Sequence, residues 1–259
     1  YAGGYRAPQA FDEDMHIAVV GGKRVRIRLA DDLKEERSHS VSLSADLYHN
    51  FGRVQTNLLV EGFYTILDDV FALRDLEDTD DGGKIKERYN GSGAAVRGFN
   101  VEGRAIFTRW FELQAGVTLQ QSRYKEPEQW SEDADVPPVR RMFRTPDAYG
   151  YFTASFKPVR NFTADLTGTC TGSMLVQHMA GSGVAQDAAV STPSFFDMNV
   201  RLSYDLRIYK EITLQLYGGV QNLFNAYQKD FDKGADRDSG YIYGPSLPRS
   251  WFVGAKFSF

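Results

Sequence analysis

The chain is 259 residues long, with a formal net charge of −4 and an aromatic content of 14%. The slightly acidic balance, without a run of lysine or arginine, argues against nucleic acid as the main partner. The single cysteine, Cys170, excludes an intramolecular disulfide and a cysteine-rich zinc site. No stretch approaches the roughly 18 uninterrupted apolar residues of a membrane helix, and the aromatic content favours β-strands.

Alternation of apolar and polar residues recurs along the chain and predicts an all-β fold, because successive side chains of a strand point to opposite faces. Val41, Leu43, Ala45 and Leu47, for example, alternate with two serines and an aspartate. The pattern predicts about nine strands, near residues 41–47, 54–60, 99–107, 113–119, 152–156, 162–170, 196–202, 212–220 and 251–259. A tilted strand of ~9–11 residues is long enough to cross an outer membrane.

The connections between the predicted strands alternate in length. Tight turns are predicted near residues 50–53, 108–111, 158–161 and 206–210, and longer polar excursions near residues 72–92, 123–146, 175–194 and 225–247. Short turns on one side and long loops on the other are typical of a transmembrane barrel with periplasmic turns and extracellular loops. Greek-key sandwiches mix their connection lengths instead. The sequence therefore predicts an antiparallel transmembrane β-barrel.

The two faces of the predicted strands differ in polarity, as the wall of a barrel between lipid and water requires. The residues expected to contact lipid are Leu43, Leu58, Val101, Val117, Leu166, Leu202 and Leu214. The residues expected to face a watery lumen are Glu61, Glu102, Asp165 and Arg201. These charges could not fill a dry core without dense pairing, because an unpaired buried charge is costly.

The segment 251–259 gives the clearest strand of the chain. Trp251, Val253, Ala255, Phe257 and Phe259 share one face, and the residues between them are small or polar except for one phenylalanine. Trp251, Phe257 and Phe259 are therefore predicted to anchor the closing strand at the membrane interfaces. The alternative is a half-buried strand in a soluble sandwich.

Three stretches resemble TonB-dependent outer-membrane receptors of the kind common in Bacteroidetes: GYRAPQAFDED at residues 4–14, GVQNLFN at residues 219–225 and YGPSLPR at residues 243–249. The resemblance implies a 22-stranded barrel of the bacterial outer membrane that is filled by an N-terminal plug. It also implies that residues 1–259 are the C-terminal part of this barrel, without the plug and the first strands. The arc of about nine strands would then be completed by roughly thirteen upstream strands.

The resemblance also implies active uptake of a scarce nutrient complex with energy relayed by TonB. An iron–siderophore complex or haem is the favoured cargo, and cobalamin, copper or a glycan remains open. The implied partners are outer-membrane lipid, the upstream half of the barrel with its plug, the TonB complex and a surface lipoprotein. No cofactor is required, and no enzymatic activity is expected, because the chain lacks the common hydrolase, phosphate-loop and metalloprotease motifs.

Two other classes of protein stay open at this point. A small autonomous barrel could act as an adhesin or a passive pore, although single-chain bacterial barrels have even strand numbers and the predicted count is odd. A soluble carbohydrate-binding sandwich is the third reading.

The first box of the chain, Tyr5-Arg6-Ala7-Pro8, is similar to the Phe-Arg-Ala-Pro box of haem receptors. Residues 30–33, Ala-Asp-Asp-Leu, match only the last two positions of the second box of those receptors, and His16 lies between the boxes. A neutral imidazole at an extracellular rim could ligate haem iron. Tyr5, Arg6 and His16 are therefore candidate ligand-binding residues, and the alternative is that they only structure a loop.

Two further groups of residues could bind metal or cargo. Met174, His178 and Met179 offer thioether and imidazole ligands suited to copper(I) or haem, although packing at the rim is the favoured explanation for them. The acidic group consists of Asp230, Asp232, Asp236 and Asp238. Its carboxylates could gather around Ca²⁺, but the spacing departs from an EF-hand loop, and neighbouring cations could simply pair with these aspartates in solvent.

Overall fold

The computed structural model describes residues 1–9, 25–78, 84–209 and 211–259. Within these ranges the chain forms strands and no helix, so no helix there is suited to cross a membrane. The strands are β1 (Ala2–Arg6), β2 (Val25–Leu29), β3 (Glu36–Phe51), β4 (Val54–Asp68), β5 (Phe71–Asp78), β6 (Lys84–Asn90), β7 (Ala94–Thr108), β8 (Phe111–Glu128), β9 (Val139–Arg141), β10 (Ala148–Phe156), β11 (Phe162–Thr171), β12 (Leu175–His178), β13 (Ala188–Ser191), β14 (Phe195–Tyr209), β15 (Ile212–Gln221) and β16 (Ser250–Ser258).

One large sheet dominates the fold. Its strands are hydrogen-bonded in the order β1-β3-β4-β7-β8-β10-β11-β14-β15-β16, and the short β9 pairs with β8 beside this path. All of these pairings are antiparallel, and each strand pairs with the previous and the next strand of the sheet in chain order. The two strands at the ends of the path, β1 and β16, do not pair with each other.

The register places the predicted lipid-facing residues on one face of this sheet. Val60 lies opposite Val101, which lies opposite Val117, and Leu166 lies between Ala154 and Val200. The polar residues align in the same way on the other face, where Asp165 lies opposite Arg201. The alternation predicted from the sequence is therefore confirmed as two continuous faces that run across all ten strands.

Three of the four predicted tight turns are confirmed, whereas residues 206–209, where the fourth was predicted, belong to β14 and pair with β15. Phe51 pairs with Val54 and Thr108 pairs with Phe111, so two residues connect the strands at each of these turns. Gly52 has a φ of 64°, a left-handed conformation that glycine adopts without a Cβ clash. These turns lie at one end of the sheet, and the long connections lie at the other.

Two features of the sheet differ from the sequence prediction. The sheet path has ten strands rather than about nine, because β1 adds to its edge. Its sequence, AGGYR, carries two glycines and no apolar alternation, and so gives no strand signal. β3 also begins earlier than predicted, at Glu36, and its first five residues pair with β1.

The long connections contain strands that were predicted as irregular excursions. The β5–β6 hairpin extends the connection after β4, and β2 pairs in parallel with β6 to give a separate three-stranded sheet. The β12–β13 hairpin forms in the connection after β11. The sequence does not predict these strands, because their segments are polar and lack a clear alternation. They are stabilised by pairing with neighbouring strands instead.

We expect Gly219→Ala to destabilise the sheet, because Gly219 lies on the polar face where two neighbours leave no room. A Cβ there would collide with the backbone oxygen of Val200 and would lie 2.8 Å from the ring of Phe252. Overpacking of this kind costs about 1–3 kcal/mol. Gly218→Ala is the matched control, because its Cβ would meet the backbone oxygen of Phe252 at 3.1 Å and therefore needs only a small adjustment. Guanidinium unfolding of both variants in detergent measures the difference, and equal midpoints would contradict the prediction.

Candidate functional site

The end of the sheet that bears the long connections carries a small folded core built from two long loops. Val176 of β12 and Phe195 of β14 are buried against Tyr241 and Tyr243 of the 222–249 loop, and Met174 packs partly against them. Tyr241 is only 2% exposed. Because the core residues other than Phe195 lie outside the large sheet, these contacts fix the positions of the loops relative to each other and to the end of β14.

The base of the 222–249 loop is closed by the two asparagines of the Asn222-Leu-Phe-Asn225 segment. The side chain of Asn222 donates hydrogen bonds to the carbonyls of Ala226, at 2.9 Å, and Leu247, at 2.8 Å, and accepts one from the Ala226 N–H at 2.8 Å. Asn225 Oδ1 accepts a hydrogen bond from the Arg249 N–H at 2.9 Å. Both asparagines have positive φ, 49° and 54°, a conformation that asparagine tolerates better than most residues. This motif therefore ties the end of β15 to the start of β16.

A network of hydrogen bonds between three buried side chains and the exposed Asp230 holds the middle of the same loop. The hydroxyls of Tyr241 and Tyr243 donate to the two carboxylate oxygens of Asp230 at 2.8 Å and 2.6 Å. The side chain of Gln228, 1% exposed, donates to the Tyr241 carbonyl at 3.0 Å and accepts from the Tyr243 N–H at 2.8 Å. Two tyrosines thus share one carboxylate.

The ionisation of these groups follows from their contacts. Burial acts to raise the pKa of Asp230, but the hydrogen bonds from Tyr243 and Tyr241 outweigh it, and the pKa lies below the ordinary value. The pKa of both tyrosines is raised, first by burial and then by the hydrogen bond to Asp230. The network therefore holds one carboxylate and two neutral phenols at neutral pH.

His178 connects this loop to the 172–194 loop. Its ring stacks on Tyr241 with the centroids 3.6 Å apart and the planes at 4°, and its Nε2 lies 3.0 Å from Oδ1 of Asp232. The second oxygen of Asp232 accepts a hydrogen bond from the Asp238 N–H at 3.0 Å, and Asp238 in turn accepts one from the Met179 N–H at 2.7 Å. The predicted methionine–histidine group and the predicted acidic group therefore form one assembly.

This packing decides how the assembly can act chemically. His178 is 6% exposed and its Nε2 already has a carboxylate partner, which favours the packing reading over a presented ligand. In the described ranges no three His, Cys, Asp or Glu side chains group closely enough to hold a metal ion. Asp236 takes part through its carbonyl, which accepts a hydrogen bond from the Ser182 N–H at 2.9 Å. The calcium site stays a prediction.

The 129–147 loop joins the same assembly. Ser131 donates a hydrogen bond to one oxygen of Asp187 at 2.7 Å, and the other oxygen accepts from the Ala180 N–H at 2.6 Å. Arg144 donates to the carbonyl of Ile242 at 2.9 Å. Three long loops are therefore bonded together over the strands β8 to β16. Sequence reasoning did not single out Tyr241, Tyr243, Gln228 or Asn222 as individual residues, although Tyr241 and Tyr243 alternate around Ile242 as strand residues do.

The first box lies elsewhere in the sheet, on β1. Tyr5 and Arg6 are adjacent residues of a strand and therefore point to opposite faces. Tyr5 shares the face of the apolar row and is 79% exposed, whereas the guanidinium of Arg6 lies 4.8 Å from the ring of Phe71 and 3.8 Å from Glu36. His16 lies outside the described residues. The box on β1 and the loop after β11 are separated by six steps in the strand order.

The polar face of the sheet carries cross-strand hydrogen bonds from rim to turn. Asn100 bridges Glu61 and Thr118, with distances of 2.9 Å on both sides, and Gln114 donates to Glu102 at 2.7 Å. Charged groups are thus paired with amides and hydroxyls across neighbouring strands. Such a face suits contact with water or with a polar filling of the lumen rather than with lipid.

The predicted membrane anchors lie at the two ends of the apolar face of β16. Trp251, opposite Val220 near the loop end, is 77% exposed, and Phe257, opposite Leu214 near the turn end, is 62% exposed. Phe259 follows directly after β16. Cys170 is exposed on the same face of the sheet. Exposed aromatic rings at both ends of a strand are the arrangement expected at two membrane interfaces.

Solved structures with the same fold are transport proteins. The chain is similar to a copper transporter, OprC, with 14% identity over 99% of this chain and 36% of that chain, at a TM-score of 0.64. It is similar to a variant of the ferric enterobactin receptor from Pseudomonas aeruginosa, with 15% identity over 98% of this chain and 36% of that one, at a TM-score of 0.62. The ferric-catecholate import receptor Fiu from E. coli matches with 19% identity over 87% of this chain and 28% of that one, at a TM-score of 0.58.

The chain thus spans about a third of the length of these structures, and at these identities they show the fold alone. No curated protein sequence matches the chain significantly. The family model described as "TonB dependent receptor-like, beta-barrel" matches residues 1–223. This match covers the strands from β1 to β15 and ends at Leu223, just after the last of these strands. The chain therefore belongs to the TonB-dependent receptor β-barrel family of bacterial outer-membrane proteins.

Proposed function

We propose that this chain is part of an active-transport receptor that takes up a scarce nutrient complex, with an iron–siderophore complex or haem as the favoured cargo. The observation that carries the proposal is the antiparallel sheet, which has one apolar and one polar face and bears three loops that are hydrogen-bonded to each other. The chain that forms this sheet belongs to the TonB-dependent receptor family. A ferric enterobactin receptor and a ferric-catecholate import receptor share this fold, which supports an iron complex as the cargo. The copper transporter keeps copper as an alternative, and cobalamin and glycans stay open. Catalysis has no part in the proposal.

The candidate cargo contacts differ in how well the structure suits them to this role. Arg6, on the polar face, is the member of the first box that a cargo in the lumen would meet, and Tyr5, on the apolar face, is not. His16 lies outside the described residues. The proposal that it binds haem therefore rests only on the similarity of the first box to the box of haem receptors. The bonded loops 129–147, 172–194 and 222–249 offer a capture surface whose shape is fixed by their mutual hydrogen bonds. We infer that Met174, His178 and Met179 support this surface from within.

Growth on defined nutrients tests the cargo. A deletion strain should grow normally on free nutrients and poorly when one complexed source, such as an iron–siderophore, haem, cobalamin or copper at limiting concentration, is the sole supply. Reintroduction of the gene should restore growth, and a variant with Arg6→Ala should show which source depends on the first box. Normal growth of the deletion strain on every source would remove this group of cargoes.

A complete small barrel is the second candidate, because ten strands in the sheet path is an even number. We propose instead that further strands complete the sheet. β1 pairs only with residues 36–40 of β3, so residues 41–51 have no partner on that side in the described ranges. An open edge in hydrocarbon is costly, because each unpaired peptide group loses several kcal/mol there. The family architecture of 22 strands with a plug would supply these partners.

Expression of residues 1–259 alone, with an export signal, distinguishes the two candidates. The receptor proposal expects aggregation or degradation through the open edges of β1 and β16. A heat-modifiable, protease-resistant monomer would instead establish a small autonomous barrel.

A further inference from the structure

The turn end of the sheet carries a row of stacked aromatic rings on the apolar face. The ring centroids of Phe107 and Phe111 are 5.1 Å apart, and those of Phe111 and Phe156 are 4.7 Å apart. Trp110, in the turn itself, lies 6.0 Å from Phe111 and is 46% exposed. Aromatic belts sit where lipid chains meet headgroups. The row therefore marks the level of the inner-leaflet headgroups on this wall, and the turns lie beyond it.

A groove of about 680 Å³ adjoins this row, between the β7–β8 turn and the β10–β11 turn. Arg109, Lys157 and Arg160 line it beside Trp110, and all three cations are exposed. Asp205 is the carboxylate of the lining, and its Oδ1 accepts a hydrogen bond from Gln215 at 2.8 Å. Three cations against one carboxylate leave the groove positively charged.

The cations of the groove have no carboxylate partner among the described residues. Over the ranges that the structure describes, none of Arg109, Lys157 and Arg160 forms an ion pair with a carboxylate. Other basic residues of the sheet behave differently, since Arg104, for example, lies 2.6 Å from Glu112. Clustered cations of this kind attract anions, and the attraction is strongest at low ionic strength.

Backbone hydrogen bonds give the groove a fixed shape before any ligand binds. The Lys157 N–H donates to the carbonyl of Trp110 at 2.7 Å, which joins the two turns. The Asp205 N–H donates to the carbonyl of Asn161 at 2.8 Å, which joins the second turn to β14. Asn161 holds a left-handed φ of 69° and Pro158 restricts the turn further. Little ordering is therefore required on binding.

We propose that this groove binds the phosphate headgroup of an anionic phospholipid from the inner leaflet of the outer membrane. The guanidinium groups of Arg109 and Arg160 match phosphate oxygens in a two-pronged geometry, and Lys157 adds a point charge. The adjoining aromatic row gives the acyl chains of the same lipid an apolar surface. This second contact distinguishes a lipid from free phosphate, which shares the headgroup chemistry but gains nothing from the aromatic rings.

Native mass spectrometry of the intact receptor, produced from its complete reading frame, tests the proposal. The receptor is titrated in detergent with phosphatidylglycerol, with phosphatidylcholine of the same acyl chains, and with inorganic phosphate. We expect retention of phosphatidylglycerol over both of the other probes. The triple variant Arg109→Gln, Lys157→Gln, Arg160→Gln should bind phosphatidylglycerol roughly 100-fold more weakly, because each cation near a lipid headgroup contributes on the order of fivefold.

Arg53→Gln is the matched control for Arg160→Gln, because Arg53 is an exposed arginine in the β3–β4 turn and lies outside the groove. Only Arg160→Gln should weaken retention, and heat-dependent gel mobility shows that each variant has folded. Equal retention of phosphatidylglycerol and phosphatidylcholine by the unaltered receptor would overturn the proposal, whatever the variants do. Equal retention of phosphatidylglycerol and inorganic phosphate would assign the groove to free anions instead and would overturn the lipid assignment.

Discussion

Leu166→Arg should lower the free energy of unfolding by about 2–4 kcal/mol, the cost of an arginine on the lipid face near the membrane midplane. Leu166 lies near the middle of β11, on the apolar face between Ala154 and Val200. Arginine there would carry a charge into hydrocarbon, where water cannot solvate it. Denaturant titration of the receptor folded in lipid vesicles measures the loss.

Thr167→Arg is the matched control for this substitution. Thr167 is the next residue of the same strand, so it lies at nearly the same depth, but it faces the polar side between Thr153 and Asn199. The same new side chain should therefore cost far less at this position. Equal costs at both positions would mean that both faces of β11 meet the same environment, as in a soluble sheet, and the membrane assignment of this wall would fail.

The second large effect is expected in the loops. Asp230→Ala removes the acceptor that the hydroxyls of two buried tyrosines share. A buried donor without a partner costs about 1–3 kcal/mol, and because Asp230 is exposed and water can replace part of the lost bonds, the loss from both tyrosines together should be about 1–3 kcal/mol of local stability. Hydrogen exchange of the 222–249 amides should then be faster, with the strands of the sheet unchanged.

Asp236→Ala is the control, because Asp236 is exposed in the same loop and contributes through its carbonyl rather than its side chain.

The stability that this network gives to the loop should also depend on pH. The pKa of Asp230 is lowered in the fold, so its contribution is present above the ordinary aspartate pKa of about 3.9 and is lost as the pH falls through the lowered value. The raised pKa of both tyrosines gives the opposite limit: their contribution is present below about pH 10 and is lost as the pH rises through the raised values. Uniform exchange across this window in the unaltered receptor and in Asp230→Ala would contradict the role of the network.

The large sheet could be predicted from the sequence because its strands carry their own signal. A strand such as 162–170 separates an apolar face from a polar face, and that separation is visible in alternate residues without knowledge of its neighbours. β1 could not be predicted in this way, because its glycines have no side chains that could form an apolar or a polar face. Its position is set by pairing with Glu36–Ser40 of β3. The β5–β6 and β12–β13 hairpins likewise form through pairing between their strands, and their sequences show no clear alternation of apolar and polar residues.

The loop assembly could be predicted only in parts. His178 and Asp232 were singled out as members of separate groups, and fifty-four positions separate them in the chain. Their contact depends on the order of strands in the sheet, which brings the loop after β11 beside the loop after β15. The positions of Tyr241 and Gln228 were not predicted at all, because burial of a polar side chain in a loop depends on the neighbouring loop that covers it.

The strictly sequential order of the sheet has a consequence for how such a wall can change in evolution. Within the large sheet each strand from β3 to β16 bonds to its immediate predecessor in the path, and no strand crosses over another. Duplication or loss of two adjacent strands would leave every other pairing intact and would alter only the circumference. Descendants of one gene can therefore differ in pore width by hairpin-sized steps while they keep the same turns, the same rim and the same closing strand.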